Sequence, residues 1–266
     1  LGLIDGRFHL EGPIWKDKTS FNIGLRRTWT ETITVPLFAW INKKNAPDKG
    51  YGRYAFTDLN AKITHKFSDR SLLTANFYTG NDIFKYLDEY AGYDYYGHNT
   101  SRSVTDFKIS WGNTLGSLNW NHEFNDKLSM SNKLYYTGFF SGFDYVEEDF
   151  DVDQYDMVGL SYNSKVHTIG WKSDFYHLVA SGHKLRYGAT AQFHIYRPDY
   201  TNFIEQRKES ETFKHQPYAD SLEYKTMEAS VYAEDEIAVT DAFSVNAGLR
   251  YSINSTNGKF WHSVEP

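Results

Sequence analysis

From Leu185 the chain alternates strictly between apolar and polar residues. Leu185, Tyr187, Ala189, Ala191, Phe193 and Ile195 fall on one face of an extended strand, and Lys184, Arg186, Gly188, Thr190, Gln192 and His194 fall on the other. Successive side chains of a strand point to opposite sides, so this segment has one apolar face and one wet face. The pattern returns from Phe243, with Phe243, Val245, Ala247, Leu249, Tyr251 and Ile253 set against Ser244, Asn246, Gly248, Arg250 and Ser252. Shorter copies run through Phe21-Ile23-Leu25, Leu59-Ala61-Ile63, Leu73-Ala75-Phe77 and Leu118-Trp120. Eleven residues at ~3.3 Å rise and ~45° tilt span about 25 Å, the height of the apolar band of an outer-membrane barrel.

Short polar turns punctuate these strands at Lys16-Asp17-Lys18, Ser68-Asp69-Arg70, Asn125-Asp126-Lys127, Ser181-Gly182-His183 and Thr240-Asp241. Their centres, near 17, 69, 126, 182 and 241, are 52, 57, 56 and 59 residues apart, one hairpin pair per period. Between them lie longer polar, Gly- and Tyr-rich stretches at 42–52, 85–102, 147–155 and 201–222, expected as loops. Short turns on one rim and long loops on the other is the asymmetry of an outer-membrane barrel. Two strands per turn gives ten, near 3–12, 19–29, 53–67, 71–83, 104–124, 128–146, 156–177, 184–197, 223–238 and 243–254. Pro13, Pro36, Pro47, Pro198, Pro217 and Pro266 all fall at expected strand ends or in loops, where a missing N–H costs no ladder bond. A soluble β-sandwich also alternates, but its strands average about 5–6 residues, well short of these.

Composition narrows the function. The 266 residues carry 28 Lys+Arg against 34 Asp+Glu, a net charge of −6, which gives nucleic-acid phosphates nothing to bind. The absence of cysteine removes disulfide scaffolds, Cys-ligated metals, iron–sulfur clusters and thiol nucleophiles. The residues are 18% aromatic, yet no apolar run approaches the ~18–20 residues of a membrane helix. Large rings alternating with polar residues reconcile the two. Leu1 is not preceded by a signal-peptide pattern and the last residue is Pro266, so the sequence reads as a segment of something longer.

Three stretches carry a resemblance. Leu10-Glu11-Gly12-Pro13-Ile14-Trp15-Lys16-Asp17-Lys18-Thr19-Ser20-Phe21 leads to Arg26-Arg27-Thr28-Trp29; His183-Lys184-Leu185-Arg186-Tyr187-Gly188 follows later. The third pairs Val231-Tyr232-Ala233-Glu234-Asp235-Glu236 with Ala247-Gly248-Leu249-Arg250-Tyr251. Together they resemble the barrel of TonB-dependent outer-membrane receptors, especially those of the Bacteroidetes type. The resemblance implies an all-β, antiparallel transmembrane barrel segment, about ten strands of a larger barrel of 22 whose lumen holds a plug. It also implies import of a scarce, bulky nutrient such as a siderophore, cobalamin, glycan or peptide, with a TonB complex acting through the plug. Further partners on this reading are outer-membrane lipid, the nutrient ligand and a surface lipoprotein. Residues 1–266 would form part of one barrel domain, with the plug and remaining strands elsewhere.

Candidate chemistry is sparse. Tyr86-Leu87-Asp88-Glu89-Tyr90-Ala91-Gly92-Tyr93-Asp94-Tyr95-Tyr96-Gly97-His98 sets tyrosines among carboxylates in an expected external loop. Flat rings with polar tips suit stacking of sugars or gripping of a chelate, which makes Tyr90, Tyr93, Asp94, Tyr95, Tyr96 and His98 the substrate-binding candidates. The same rings suit an aromatic girdle at the headgroups. Arg186, Gln192, His194 and Arg250 lie on the wet face as lumen- or plug-facing candidates, Arg186 and Arg250 near the short-turn end. The run Glu147–Asp156 places Asp149, Asp151 and Asp153 on one side if extended, a hard-oxygen set for Ca²⁺ that lacks the EF-hand Gly and Glu and reads more simply as a solvated acidic loop. Val35-Pro36-Leu37-Phe38-Ala39-Trp40-Ile41 is apolar within a polar connection and fits a strand end, a partner-binding patch or a buried loop. No His–Glu metal spacing, nucleophile elbow or phosphate loop occurs, so neither an enzyme nor a cofactor is expected. The rival functions are a passive porin-like barrel and a soluble carbohydrate-binding β-protein.

Overall fold

The structure is a computed structural model. It describes all residues except 1, 3, 94, 95, 97, 98, 152, 153, 209, 210 and 241, with backbone alone at 99, 200, 202–208 and 211–221. Twelve strands form one antiparallel sheet, with one helix. The strands are β1 (Asp5–Trp15), β2 (Thr19–Thr28), β3 (Lys49–Ser68), β4 (Ser71–Tyr93), β5 (Asn99–Asn125), β6 (Leu128–Asp151), β7 (Gln154–Ala180), β8 (His183–Lys208), β9 (Glu211–Ser221), β10 (Tyr224–Thr240), β11 (Phe243–Thr256) and β12 (Lys259–Glu265); α1 (Glu31–Lys44) joins β2 to β3. Neighbours in sequence pair in space, except that β9 and β10 lie end to end along β8. The path of the sheet ends at β1 and β12, and β9, beside that path, pairs with β8 alone.

Register assembles the faces. Across β2 to β11, Ile23, Ala61 and Phe77 align in turn, then Leu118, Leu134, Trp171, Ala191, Ala229 and Ile253. These rows make one apolar band across the sheet. Leu134, Ile169, Val231 and Leu249 on it are all more than half exposed, and the only buried apolar residues described are Ala55 and Met130. A single layer without a core is stable only if something apolar covers the band, and its height matches lipid. The opposite face carries Glu11, Asn22, Lys62, Asn76 and Ser117 on successive strands. Both alternations read from Leu185 and Phe243 are in this register.

The long polar stretches are not loops. β4 runs on to Tyr93, β5 begins at Asn99, and β6 and β7 meet across a tip at 151–154. The stretch 201–222 contains the top of β8 and all of β9, while 42–52 is shared between α1 and β3. The strands persist because cross-strand pairs replace apolar contacts. Lys49 and Arg102 both bind Glu89, at 3.3 and 3.0 Å, Lys85 binds Asp106 at 3.0 Å and Lys108 binds Asp144 at 3.4 Å. β5 and β7 reach 27 residues each, roughly 60 Å of height at ~45° tilt. About 35 Å of arm therefore stands beyond a 25 Å band.

The strand count changes from ten to twelve for two reasons. Asn257 and Gly258, at φ 50° and 79°, make the tight turn that adds β12. The second reason is a proline: Pro198 lies inside β8, not at its end. On one side it pairs with Ser164 of β7; on the other it faces the gap between Tyr196, the last partner of β10, and Asp199, the first partner of β9, where no ladder bond is called for. Pro13 likewise borders the register shift between Pro13 and Trp15. Pro36 departs further from expectation, standing within α1.

Val35–Ile41 is thus helical, neither strand end nor buried loop, and α1 buries none of its residues fully. Phe38 packs over Gly50 and Gly52 of β3, and Asn42 caps the Gly50 backbone through both its amide atoms, at 2.8 and 2.9 Å. Rings also cover other glycines: Tyr135 over Gly170, Tyr232 over Gly188 and Phe140 over Gly112. At the short-turn rim, Gly182 holds φ 81° with its carbonyl accepting the Ala238 N–H at 2.7 Å. Gly182→Ala is expected to destabilise the fold by about 1–2 kcal/mol, because an L-residue is strained there. Urea titration in lipid vesicles reads this, and an unchanged midpoint would contradict the turn geometry.

Candidate functional site

The polar face divides into two zones. In the lower zone, near the short turns, Arg186 donates to Glu234 at 3.3 Å and lies over the Tyr176 ring, 5.2 Å from its centroid. The Tyr232 hydroxyl donates to Asp174 at 2.7 Å, and Lys172 pairs with the same carboxylate at 3.1 Å. Arg250 lies 5.3 Å from the centre of the Tyr232 ring and, among the described residues, has no carboxylate partner. Higher up, the His194 ring shares a 2.8 Å hydrogen bond with Thr168 and stacks on Tyr196. Gln192 stands in register between Gly170 and Glu228. All four expected residues, Arg186, Gln192, His194 and Arg250, therefore occupy the polar face, and Arg250 there stands across from Glu265 of β12.

The tyrosine-rich segment is split by its own strand. Tyr90 lies on the polar face and Tyr93 on the opposite one, because an odd separation along β4 reverses direction. Tyr96 sits in the tip, 81% exposed. Asp94, Tyr95 and His98 lie outside the described residues. The structure thus places Tyr90 and Tyr93 on opposite sides of the sheet, and only Tyr90 shares the polar face with the residues that follow. Asp88 on that face accepts the Tyr86 hydroxyl at 3.1 Å and a second hydrogen bond from Tyr90. That bond pushes the Tyr90 phenol above its ordinary value; for Tyr86, burial acts first and Asp88 adds to it. Asp149 and Asp151 share the polar face, Asp149 faces Asp156 of β7, and the segment is strand where a solvated loop was expected. Asp153 lies outside the described residues.

The upper zone contains what sequence reading missed. Tyr54, Phe84, Ile109, Phe143 and Tyr162 are register partners on five consecutive strands, β3 to β7, all on the polar face. One step higher, Tyr86, Phe107, Tyr145 and Leu160 form a second row. Phe84 meets Phe107 edge to face at 5.9 Å between ring centres, and Phe107 meets Phe143 at 5.4 Å. Such geometry sets the positive edge of one ring against the negative face of the next and is worth about 0.5–1.5 kcal/mol per pair. Phe84 lies seven residues above Phe77 of the apolar band, ~23 Å along the strand. At ~45° tilt that is about 16 Å of height, so the platform stands at the upper border of the apolar band and on the side away from lipid, unlike a headgroup girdle, whose rings face the membrane.

Charge in this zone is mostly negative, bordered by Arg26 of β2, which lies over the Phe56 ring, stands across from Asp58 and is paired with Asp5 at 2.7 Å. On the polar face of β3 to β7 above the Lys62 row, Asp58, Asp82, Asp88, Glu147, Asp149, Asp151 and Asp156 are the charged residues described, without a Lys or Arg among them. Phenols position several: Tyr54 donates to Asp82 at 2.7 Å and Tyr145 to Glu147 at 2.8 Å. The cations of the arms, Lys49, Arg53, Lys85, Arg102, Lys108 and Lys165, all project from the other face. There, burial pushes Glu89 up, but hydrogen bonds from Arg102 and Lys49 outweigh it and hold the carboxyl below its ordinary value. A depressed folded pKa contributes stability above the unfolded value near 4.5 and loses it as pH falls through the folded value. Amide exchange at the tips of β4 and β5 should therefore quicken on acidification below about pH 4.5. Glu89→Gln is expected to flatten that dependence; an unchanged profile would contradict the pairing.

Among the described residues no helix is long and apolar enough to cross a membrane. No curated protein matches the chain. A family model described as TonB dependent receptor-like, beta-barrel matches residues 62–264, from the middle of β3 almost to the end of β12. An antiparallel all-β sheet with an apolar band on one face, short turns on one rim and long arms on the other agrees with that match throughout. The chain belongs to the TonB-dependent receptor β-barrel family, whose members are outer-membrane transport proteins and not enzymes, and which implies a TonB partner and an imported ligand.

Proposed function

We propose that residues 1–266 form part of the wall of one larger, plugged barrel of the Bacteroidetes type that imports a scarce, bulky nutrient. The observation that carries this reading is the apolar band running unbroken from β2 to β11 with a polar face behind it. The free edges at β1 and β12 offer ladders for further strands, since an exposed edge in lipid leaves backbone groups unsatisfied. On the polar face Arg250, set between the Tyr232 ring and Glu265 of β12 without a direct ion pair among the described residues, suits a plug carboxylate, while Arg186, Gln192 and His194 line the same wall. Siderophore, cobalamin, glycan and peptide are the substrate classes, and the tyrosine-bearing tip of β4–β5 is part of the mouth. A surface lipoprotein capping that mouth would meet Ile33, Leu37 and Trp40, which share the exposed side of α1.

Growth on a limiting nutrient in cells with and without the TonB complex tests the reading. Loss of uptake without TonB at unchanged receptor abundance is expected. Uptake indifferent to TonB would favour a passive porin-like barrel.

A further inference from the structure

Resting on the importer reading, we propose that the aromatic platform on the polar face of the arms is a docking surface for a cationic, ring-bearing nutrient. The occupant is an organic amine, guanidinium or quaternary ammonium compound with a flat face. Two independent features select it. The rings of Phe84, exposed, and of Phe107 and Phe143, half-buried, meet edge to face on the side lipid does not reach, and aromatic faces attract cations through their quadrupole. The carboxylates around them supply complementary charge: among the described residues no cation stands on that face of β3 to β7, and Arg26 on the neighbouring β2 is engaged by Asp5. Register puts Asp88, Thr105 and Glu147 in one line across β4, β5 and β6, directly above the row of Tyr86, Phe107 and Tyr145.

The segregation matters more than the count of acids. Alternation could have placed Lys85, Lys108 or Arg102 on this face, where they would neutralise the carboxylates or receive an anionic ligand. Each instead lies one residue out of phase, on the other face, paired there with Asp106, Asp144 and Glu89. An anion approaching the platform meets negative ring faces and unneutralised carboxylates together. A cation meets two attractive terms, and the phenols of Tyr86 and Tyr145 hold the carboxylates in place for it.

The test uses the complete receptor in detergent micelles with two xanthene dyes of the same ring system and opposite charge, rhodamine 6G and fluorescein, followed by fluorescence anisotropy. Rhodamine 6G is expected to bind at least about tenfold more tightly, with the preference shrinking at high salt. Phe143→Leu keeps an apolar side chain and removes the quadrupole; it should weaken the cation roughly tenfold and leave fluorescein unchanged. Glu147→Gln with Asp149→Asn should narrow the difference between the dyes. Heat-modifiable mobility on gels identifies folded barrels, and Phe143→Tyr, which restores a ring, should recover binding. Equal or tighter binding of fluorescein, or cation binding indifferent to both sets of variants, overturns the proposal. TonB-dependent uptake by a receptor without charge preference would refute the docking site and leave the importer reading standing; a charge preference with TonB-independent uptake would do the reverse.

Discussion

Ala191→Arg is expected to destabilise the barrel by about 2–4 kcal/mol, whereas Gln192→Arg one residue later changes stability by less than about 0.5 kcal/mol. Ala191 lies near the middle of the apolar band, between Trp171 of β7 and Ala229 of β10. A guanidinium there must be driven into hydrocarbon or snorkel past a row of rings. Gln192 points the opposite way, between Gly170 and Glu228, where water and a carboxylate await the new charge. Unfolding in urea from vesicles of defined thickness measures both. Similar costs at the two positions would mean that the faces are wrongly assigned.

Gly188→Val is the second large effect. A Cβ at this position would run into the Ser173 carbonyl oxygen of β7 and come within 2.8 Å of the Tyr232 ring. The first obstacle is backbone and cannot rotate away, so the pairing of β7 with β8 must open or shift. Tyr232 is in turn held by its hydroxyl's bond to Asp174, which keeps the ring over the glycine. Overpacking of this kind costs about 1–3 kcal/mol, and refolding yield into vesicles should fall with it. Gly116→Val makes the control, since nothing lies within 4 Å of its missing Cβ. Equal losses at both positions would show that strand propensity, not the close approach, sets the cost.

How far the fold is legible in the sequence depends on what marks each element. Strand centres and faces are plain wherever apolar residues alternate, as from Leu185 or Phe243. The arms beyond residue 85 alternate in polar residues held by Lys49, Glu89 and Arg102, partners up to 40 positions apart, so their local pattern resembles a loop. α1 is disguised by Thr32, Ile33, Thr34, Val35 and Pro36, all poor helix formers. Its readable marks were Glu31 in the first turn, Lys43 and Lys44 in the last, and Ile33, Leu37 and Trp40 at helical spacing. Asn257-Gly258 announces β12 in the sequence itself.

The candidate site was harder to read for a geometric reason. Tyr90 and Tyr93 look adjacent in sequence, yet a strand sends them to opposite sides. Phe84, Phe107 and Phe143 are far apart in sequence and share no motif; only the register of β4, β5 and β6 gathers them. The parity of each position along its strand, combined with the turn positions, would have aligned them. The residues from Arg186 to Arg250 needed only parity to be gathered on one face of the sheet.

The most direct test of the account is a cysteine scan. The chain has no cysteine, so single substitutions at 184–195 in the complete receptor accept a nitroxide spin label at one site each. The account predicts that labels at 185, 187, 189, 191, 193 and 195 collide with membrane-dissolved oxygen, while those at even positions do not, a period of two across the width of the bilayer. Uniform exposure of all twelve labels to a water-soluble relaxant would contradict it.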